Sequence, residues 1–371
     1  MKFSCDKVSL QSAISMCSRA VATKSSIPAL GGLLLRCDGE TLRVCGYNMT
    51  LGIRTEIHAD VENAGELVLD AGLFGGIVSR LPDDTVTVSS GEKNVTKLTC
   101  GNASFEISGL DAADFPQLPE IEQTGIVEVE EKILRSMVQQ TSYAISTNEN
   151  HPAQMGSLFE VAGKQLTVVS CDGFRVALRR EEIEYSGEDL AFIAPGTTLK
   201  EVEKICADSS AEVRITLGDR HILFSIGSSE IISRRLDGQF LDYKKAIPPD
   251  QPISIDVEPQ KMLESLDRVT VVVSDKFKAP IRCEFDIDHV TLSANTAKGG
   301  ARDVCSYKGD GQDLEIGFNG RYLADAMRYA PADKVTVKLK NAISPAVISA
   351  ADGSGKFLYM VLPVRLKAAA K

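Results

Sequence analysis

Apolar and polar positions along this chain fall into a pattern that returns three times. Leu42-Arg43-Val44, Leu166-Thr167-Val168 and Val290-Thr291-Leu292 each set two apolar residues around a polar one, as in a strand with one buried face, and successive copies start 124 residues apart. Solenoid and propeller repeats have periods of roughly 20 to 50 residues, so a unit this long must be a domain with its own core. The chain reads as three similar domains in tandem.

Each copy opens with a helical pattern. In 7–20, Val8, Leu10, Ile14 and Cys17 fall near one face, with Lys7, Ser15 and Arg19 elsewhere. Ile133, Leu134, Met137, Val138 and Thr141 repeat the spacing, and Met262, Leu263 and Leu266 follow Pro259, which suits a first helical turn. Strands joined by tight turns come next, signalled by Asp38-Gly39 and Ala162-Gly163, where glycine supplies a positive φ. A second helix is predicted over 72–81, 196–206 and 320–329, and strands close each copy at 85–88, 212–215 and 334–337. The class is α+β, with two helices and antiparallel strands per domain. Polar, Pro- and Gly-containing stretches at 119–125 and 248–252 place the domains at 1–122, 126–250 and 251–366, leaving 367–371 as a tail or expression scar.

Composition narrows the class of function. Of 371 residues, 43% are hydrophobic and 25% charged, ample for three cores and ordinary for a soluble protein. The cysteines number nine, with no C-x-x-C spacing and no leader-like N-terminus, a pattern of reduced thiols in a cytoplasmic protein. No stretch approaches the roughly 18 apolar residues of a membrane span.

Charge is distributed unevenly. The chain carries a net −10, yet its six helical segments hold eleven basic residues (Lys7, Arg19, Arg80, Lys132, Arg135, Lys200, Lys204, Lys261, Arg268, Arg321 and Arg328) against six acidic ones. Arg80, Lys204 and Arg328 keep the 124-residue offset, so one position is basic in all three copies. Solvated helix faces commonly carry such charges. Recurrence in so acidic a chain points instead to one multivalent surface that holds phosphates without reading bases.

Catalytic chemistry is missing. His58, His151, His221 and His289 are scattered, no phosphate-cradling glycine loop occurs, and Asp286-Ile287-Asp288 reads as a strand end rather than a Mg²⁺ site. No metal, cofactor or active site is expected. Two stretches remain unusual: Cys171-Asp172-Gly173-Phe174-Arg175-Val176 and 234–245. Each reads either as a capped strand turn or as part of an apolar pocket rimmed by positive charge, suited to a peptide with hydrophobic anchors.

The turn 171–176, the stretch Leu236-Asp237-Gly238-Gln239-Phe240-Leu241-Asp242-Tyr243 and the ending Tyr359-Met360-Val361-Leu362-Pro363-Val364-Arg365-Leu366 closely resemble the bacterial DNA polymerase III beta subunit family, the sliding clamps. Met1-Lys2-Phe3 and Ile27-Pro28-Ala29-Leu30-Gly31-Gly32-Leu33-Leu34-Leu35 are similar to the family's N-terminus, so the resemblance spans all but the tail. It implies a head-to-tail homodimer closed into a ring, with helices lining a hole for duplex DNA and a tether for the replicative polymerase, clamp loader and other clamp-binding proteins. A peptide-binding scaffold of the same fold without DNA retention is the alternative.

The resemblance implies a peptide cleft at Gln154, Cys171, Gly173, Phe174, Arg175, Val176, Leu241, Lys245, Ala246, Asn319, Tyr322, Ile343, Pro345, Met360, Val361, Leu362, Pro363, Val364 and Arg365. Arg175 and Arg365 are expected to meet the peptide's polar groups or frame the rim. Cys171, Phe174 and Leu241 stand where the family more often has a hydroxyl residue, a small polar residue or His, and Pro, which makes this pocket more apolar. Expected DNA contacts are Lys24, Arg80, Lys132, Arg135, Lys200, Lys204, Lys261, Arg268, Arg321 and Arg328, and the dimer contact is expected at Phe105, Val271 and Val272.

Overall fold

The computed structural model describes residues 1–273 and 279–366, so the expected tail lies outside the described residues. Helices form where side chains satisfy the first turn. The Asp6 carboxylate accepts the Ser9 N–H at 2.8 Å to start α1 (Lys7–Cys17), and Asp70 accepts the Leu73 N–H at 2.7 Å to start α2 (Ala71–Val78). They are followed by α3 (Glu131–Ser142), α4 (Gly196–Ile205), the single turn α5 (Tyr243–Ala246), α6 (Pro259–Thr270) with proline in its first turn, and α7 (Gly320–Arg328), capped by Asn319.

The buried stripes repeat from copy to copy. Leu10, Ala13, Ile14 and Cys17 on α1 correspond to Leu134, Met137, Val138 and Thr141 on α3 and to Met262, Ser265, Leu266 and Val269 on α6, all buried. This register corrects the sequence reading of the first helix. Val8 lies off the stripe and is 57% exposed, whereas Lys7 is buried with its ammonium 2.8 Å from Asp83. The second helix also ends before its expected limit: α2 stops at Val78 because Leu81 precedes Pro82, which disfavours helical backbone at that residue, so Arg80 lies beyond the helix.

The chain packs as two compact units, residues 1–132 with 200–235 and residues 133–199 with 236 onward. The middle copy is therefore divided between them. In the first unit an eight-stranded antiparallel sheet runs in the order Gly125–Glu130, Glu212–Leu217, His221–Ile226, Ser229–Arg234, Leu51–His58, Thr41–Tyr47, Gly32–Asp38, Gly65–Asp70. A five-stranded sheet of the same unit ends at Ala103–Ser108. In the second unit a nine-stranded sheet carries Gly156–Ala162, Gln165–Cys171, Arg175–Glu182, Phe357–Val361, Ala346–Ala350 and Val335–Leu339 side by side, and a four-stranded sheet ends at Gly299–Ser306.

Two pairings join different copies. Ser229–Arg234 pairs with Leu51–His58, setting Ile231 opposite Ile53, and Arg175–Glu182 pairs with Phe357–Val361, setting Ala177 opposite Tyr359. Leu51–His58, Arg175–Glu182 and Gly299–Ser306 are the same strand in the three copies, by the 124-residue offset. On the other side of each junction, Ile231 pairs across its hairpin with Phe224 as Phe105 does with Leu98, so Ala103–Ser108 is the first copy's version of Ser229–Arg234. Ile231 and Tyr359 are fully buried at their junctions, whereas Phe105 is 39% exposed on an open edge.

All nine cysteines are buried and free. Burial pushes the thiols of Cys5, Cys45, Cys171 and Cys283 up from the ordinary 9.0 to about 12. The folded chain keeps these protons at a pH where the unfolded chain releases them, so their effect on stability is nil below about pH 9 and increasingly unfavourable as the pH rises towards 12. Denaturant unfolding in stepped buffers should show the midpoint falling through that window, and a flat midpoint would contradict it.

Candidate peptide cleft and charged junctions

The turn singled out by the sequence is built around one carboxylate. Asp172 Oδ1 accepts the N–H groups of Phe174 at 2.9 Å and Arg175 at 3.1 Å, and Gly173 takes a φ of 87° that its missing side chain permits. The turn leaves Phe174 59% exposed, and its carbonyl accepts the Leu362 N–H at 2.8 Å. The two sequence stretches of the expected cleft thus meet through backbone.

Arg175 is 8% exposed and does not frame a rim. Its Nε donates to Asp172 Oδ2 at 2.9 Å, Nη1 to Asp325 Oδ2 at 2.7 Å and Nη2 to the Tyr143 carbonyl at 2.5 Å. The guanidinium also lies 4.3 Å from the Tyr322 ring centroid. Each of its three nitrogens donates within the protein, so its charge serves the turn and the Asp325 carboxylate. Burial raises the Tyr322 phenol above its ordinary value, which keeps that ring neutral.

Beside this turn lies an apolar floor. Cys171, Val176 and Met360 form one buried cluster with Val169, Leu178, Tyr243 and Val347, and Phe240, Ala246 and Leu362 pack against it half-buried. Leu241 and Val364 are exposed, at 39% and 38%, as is Ile343 at 74%. Val361 belongs instead to the neighbouring core cluster. Lys245 is solvent-exposed and pairs with Asp242 at 2.7 Å, Asn319 serves as the cap of α7, the Gln154 carbonyl accepts the Ser146 N–H at 2.9 Å, and the Pro345 carbonyl accepts from Gln251. Pro363 bridges to Phe318, and Arg365 is exposed. Sequence reasoning offered Asp172 as the cap of the turn but missed Tyr143 and Asp325 as supports, since Asp325 is 150 residues from its arginine.

The basic residues are less free than a count suggests. Lys204 Nζ lies 2.9 Å from Glu201, Arg328 lies 3.0 Å from Asp325 and 3.6 Å from Asp267, Lys132 lies 2.7 Å from Glu130, and Lys261 lies 2.9 Å from Glu258. Arg268 pairs with Asp303, and Arg80 donates to its own Gly76 carbonyl at 2.6 Å. Arg135 is half-buried, and its Nε finds no acceptor among the described residues. Lys24, Lys200 and Arg321 are exposed. A cavity of about 750 Å³, lined in part by Asn319, Arg321, Tyr322 and Arg328, opens beside α7 rather than over the apolar floor.

The recurrent basic position is part of a junction. Glu201 and Asp325 occupy the same place in successive copies, each 8% exposed, and each is held by the basic residue three positions on, Lys204 or Arg328. Each also meets an arginine of the preceding copy: Arg19 at 3.4 Å from Glu201 and Arg175 at 2.7 Å from Asp325. The first copy has Ile77 at the acid's place, also 8% exposed. Val271, the third copy's counterpart of Arg19, is 81% exposed.

Comparison with known proteins agrees along the whole chain. Family models for the DNA polymerase III beta subunit match in order: the N-terminal domain at residues 1–119, the central domain at 128–242 and the C-terminal domain at 244–365. The chain belongs to the DNA polymerase III beta subunit family. A beta sliding clamp of Synechocystis is 29% identical, with 99% of this chain and 100% of that protein aligned. A solved structure of a DNA polymerase III beta subunit from Eubacterium rectale, 30% identical, superposes with a TM-score of 0.93 over 98% of this chain and 99% of that one. The Bacillus subtilis sliding clamp structure, 26% identical, gives 0.95 over 99% and 100%. Members are bacterial, non-catalytic processivity factors in DNA replication, and the chain's function is that of a sliding clamp.

Removing Arg175 would take a cation from two carboxylates whose side chains are each only 12% exposed, leaving Asp172 to its backbone donors and Asp325 to Arg328 alone. Arg175→Ala should therefore cost about 3 to 5 kcal/mol in urea unfolding. Lys245→Ala, whose partner is exposed, should stay within about 0.5 kcal/mol.

Proposed function

We propose that two copies of the chain join head to tail into a closed ring that encircles duplex DNA and tethers the replicative polymerase. The open edges carry this reading. Two junctions between copies are made by the same strand pairing, and two edge strands, Ala103–Ser108 and Gly299–Ser306, are the matching halves of a third. Pairing them between chains sets Phe105 opposite Ala301, as Ile231 opposes Ile53 and Tyr359 opposes Ala177. The interface is heterologous, and closing after two chains removes both edges. Val271 and Val272 would then pack where Arg19 and Ala20 do at the first junction, with Ile77 of the other chain in place of the acid.

DNA is held by position, without reading bases. Exposed Lys24, Lys200 and Arg321 attract phosphates, and Arg80, Lys132, Arg135, Lys204, Lys261, Arg268 and Arg328 contribute as their intramolecular partners yield. The acidic remainder of a chain with net charge −10 repels DNA elsewhere. The floor around Cys171, Val176, Leu241, Met360 and Leu362 accepts short apolar segments of the polymerase, the clamp loader and other DNA-processing proteins. The reading needs no cofactor. It places the protein in the cytoplasm, in keeping with free buried thiols and with no helix among the described residues long and apolar enough to cross a membrane.

Once loaded, the protein should stay on circular DNA and run off the same DNA after linearisation, measured by gel filtration of labelled protein. Equal loss from both forms would contradict encirclement and favour a peptide-binding scaffold. Phe105→Asp should convert the dimer to monomer in analytical ultracentrifugation while leaving far-UV circular dichroism intact.

A further inference from the structure

One continuous set of contacts runs from the apolar floor to a recurrent basic residue. Leu362 donates to the Phe174 carbonyl, Asp172 holds the Phe174 and Arg175 N–H groups, and Arg175 bridges Asp172 and Asp325. The second oxygen of Asp325 accepts from Arg328 at 3.0 Å, and Arg328 also lies 3.6 Å from Asp267. Asp325 is thus shared between two guanidinium groups, one behind the cleft and one on a side chain that is 45% exposed. Every member belongs to the second unit.

We infer that Asp325 is a positioning residue for the cleft, and that its division between Arg175 and Arg328 couples peptide binding to DNA. The inference rests on the proposed cleft and ring. A carboxylate shared by two cations holds each less firmly than it would hold one. A phosphate that draws Arg328 away leaves Asp325 to Arg175 alone, which firms the 172–175 turn and with it the backbone link to Leu362. DNA therefore tightens the peptide, and by linkage the peptide eases the release of Arg328. The first junction has Glu201 between Arg19 and Lys204 and a matching turn, in which Asn48 Oδ1 accepts the N–H groups of Thr50 at 3.1 Å and Leu51 at 2.9 Å, but Leu51 stands at the place of Arg175, so that turn has no guanidinium to tie it to the acid.

The test is the affinity of a fluorescein-labelled peptide from the polymerase's clamp-binding segment, read by anisotropy on the intact dimer with and without a duplex oligonucleotide at low salt. DNA should tighten the wild-type complex about two- to five-fold, the range open to a partly exposed ion pair. Asp325→Asn should weaken peptide binding and abolish the DNA response, and Asp325→Glu should restore both. Arg328→Gln, at a more exposed site, should also abolish the response, which keeps the test decisive if Asp325→Asn fails to fold. An equal response in wild type and Arg328→Gln, or no response in wild type, would overturn the coupling. Failure of the peptide to bind wild type at all would overturn the cleft reading and the inference with it.

Discussion

Backbone hydrogen bonding between copies is the constraint on which the rest of the structure depends. At two places the last strand of one copy's hairpin set lies against the fourth strand of its neighbour, so one sheet runs on across each junction. Each junction replaces two open ladders with one shared one, and each buries a large side chain, Ile231 or Tyr359. Three copies in one chain can make only two such junctions. The third pair of edges is left over, and in the proposed ring a second molecule satisfies it.

The charges take their meaning from the same junctions. A basic residue recurs at Arg80, Lys204 and Arg328, but in two of the three copies its nearest partner is a buried carboxylate that also binds an arginine of the copy before. Burying such a carboxylate is tolerable only because two cations meet it. In the first copy the acid is replaced by Ile77 and Arg80 turns back to a main-chain carbonyl. The proposed seam between chains is thereby apolar where the internal junctions are ionic. In the proposed ring, cations partly spent on the protein itself suit sliding, since they offer DNA attraction without a fixed grip.

Much of the fold is legible in the sequence because helix stripes, hairpin glycines and the 124-residue offset are local or periodic signals. Asp38-Gly39 and Ala162-Gly163 do close hairpins, with both glycines at positive φ. The failures are also local. Lys7 and Val8 exchange their expected environments because the true stripe runs Lys7, Leu10, Ala13, Ile14 and Cys17, and Pro82 cuts α2 short of Arg80. The candidate site was legible in its outline, through the stretches that resemble the family. Its supporting structure was not: that Arg175 is sealed between Asp172, Asp325 and Tyr143 depends on tertiary contacts that no spacing announces. The sharing of sheets between copies was hidden for the same reason, since strand pairing across copies has no sequence period.

The central claim is that the strands Ala103–Ser108 and Gly299–Ser306 of two chains complete a third junction like the other two. The most direct measurement is disulfide trapping of Phe105→Cys combined with Ala301→Cys, positions that antiparallel pairing brings within bonding reach. The native cysteines are all buried, so background oxidation should be slow. Mild oxidation should give a covalent species that migrates as a closed dimer on non-reducing electrophoresis, reversed by reductant and absent from either single variant. Persistence of monomer, or a ladder of larger species from an interface that does not close, would contradict the account.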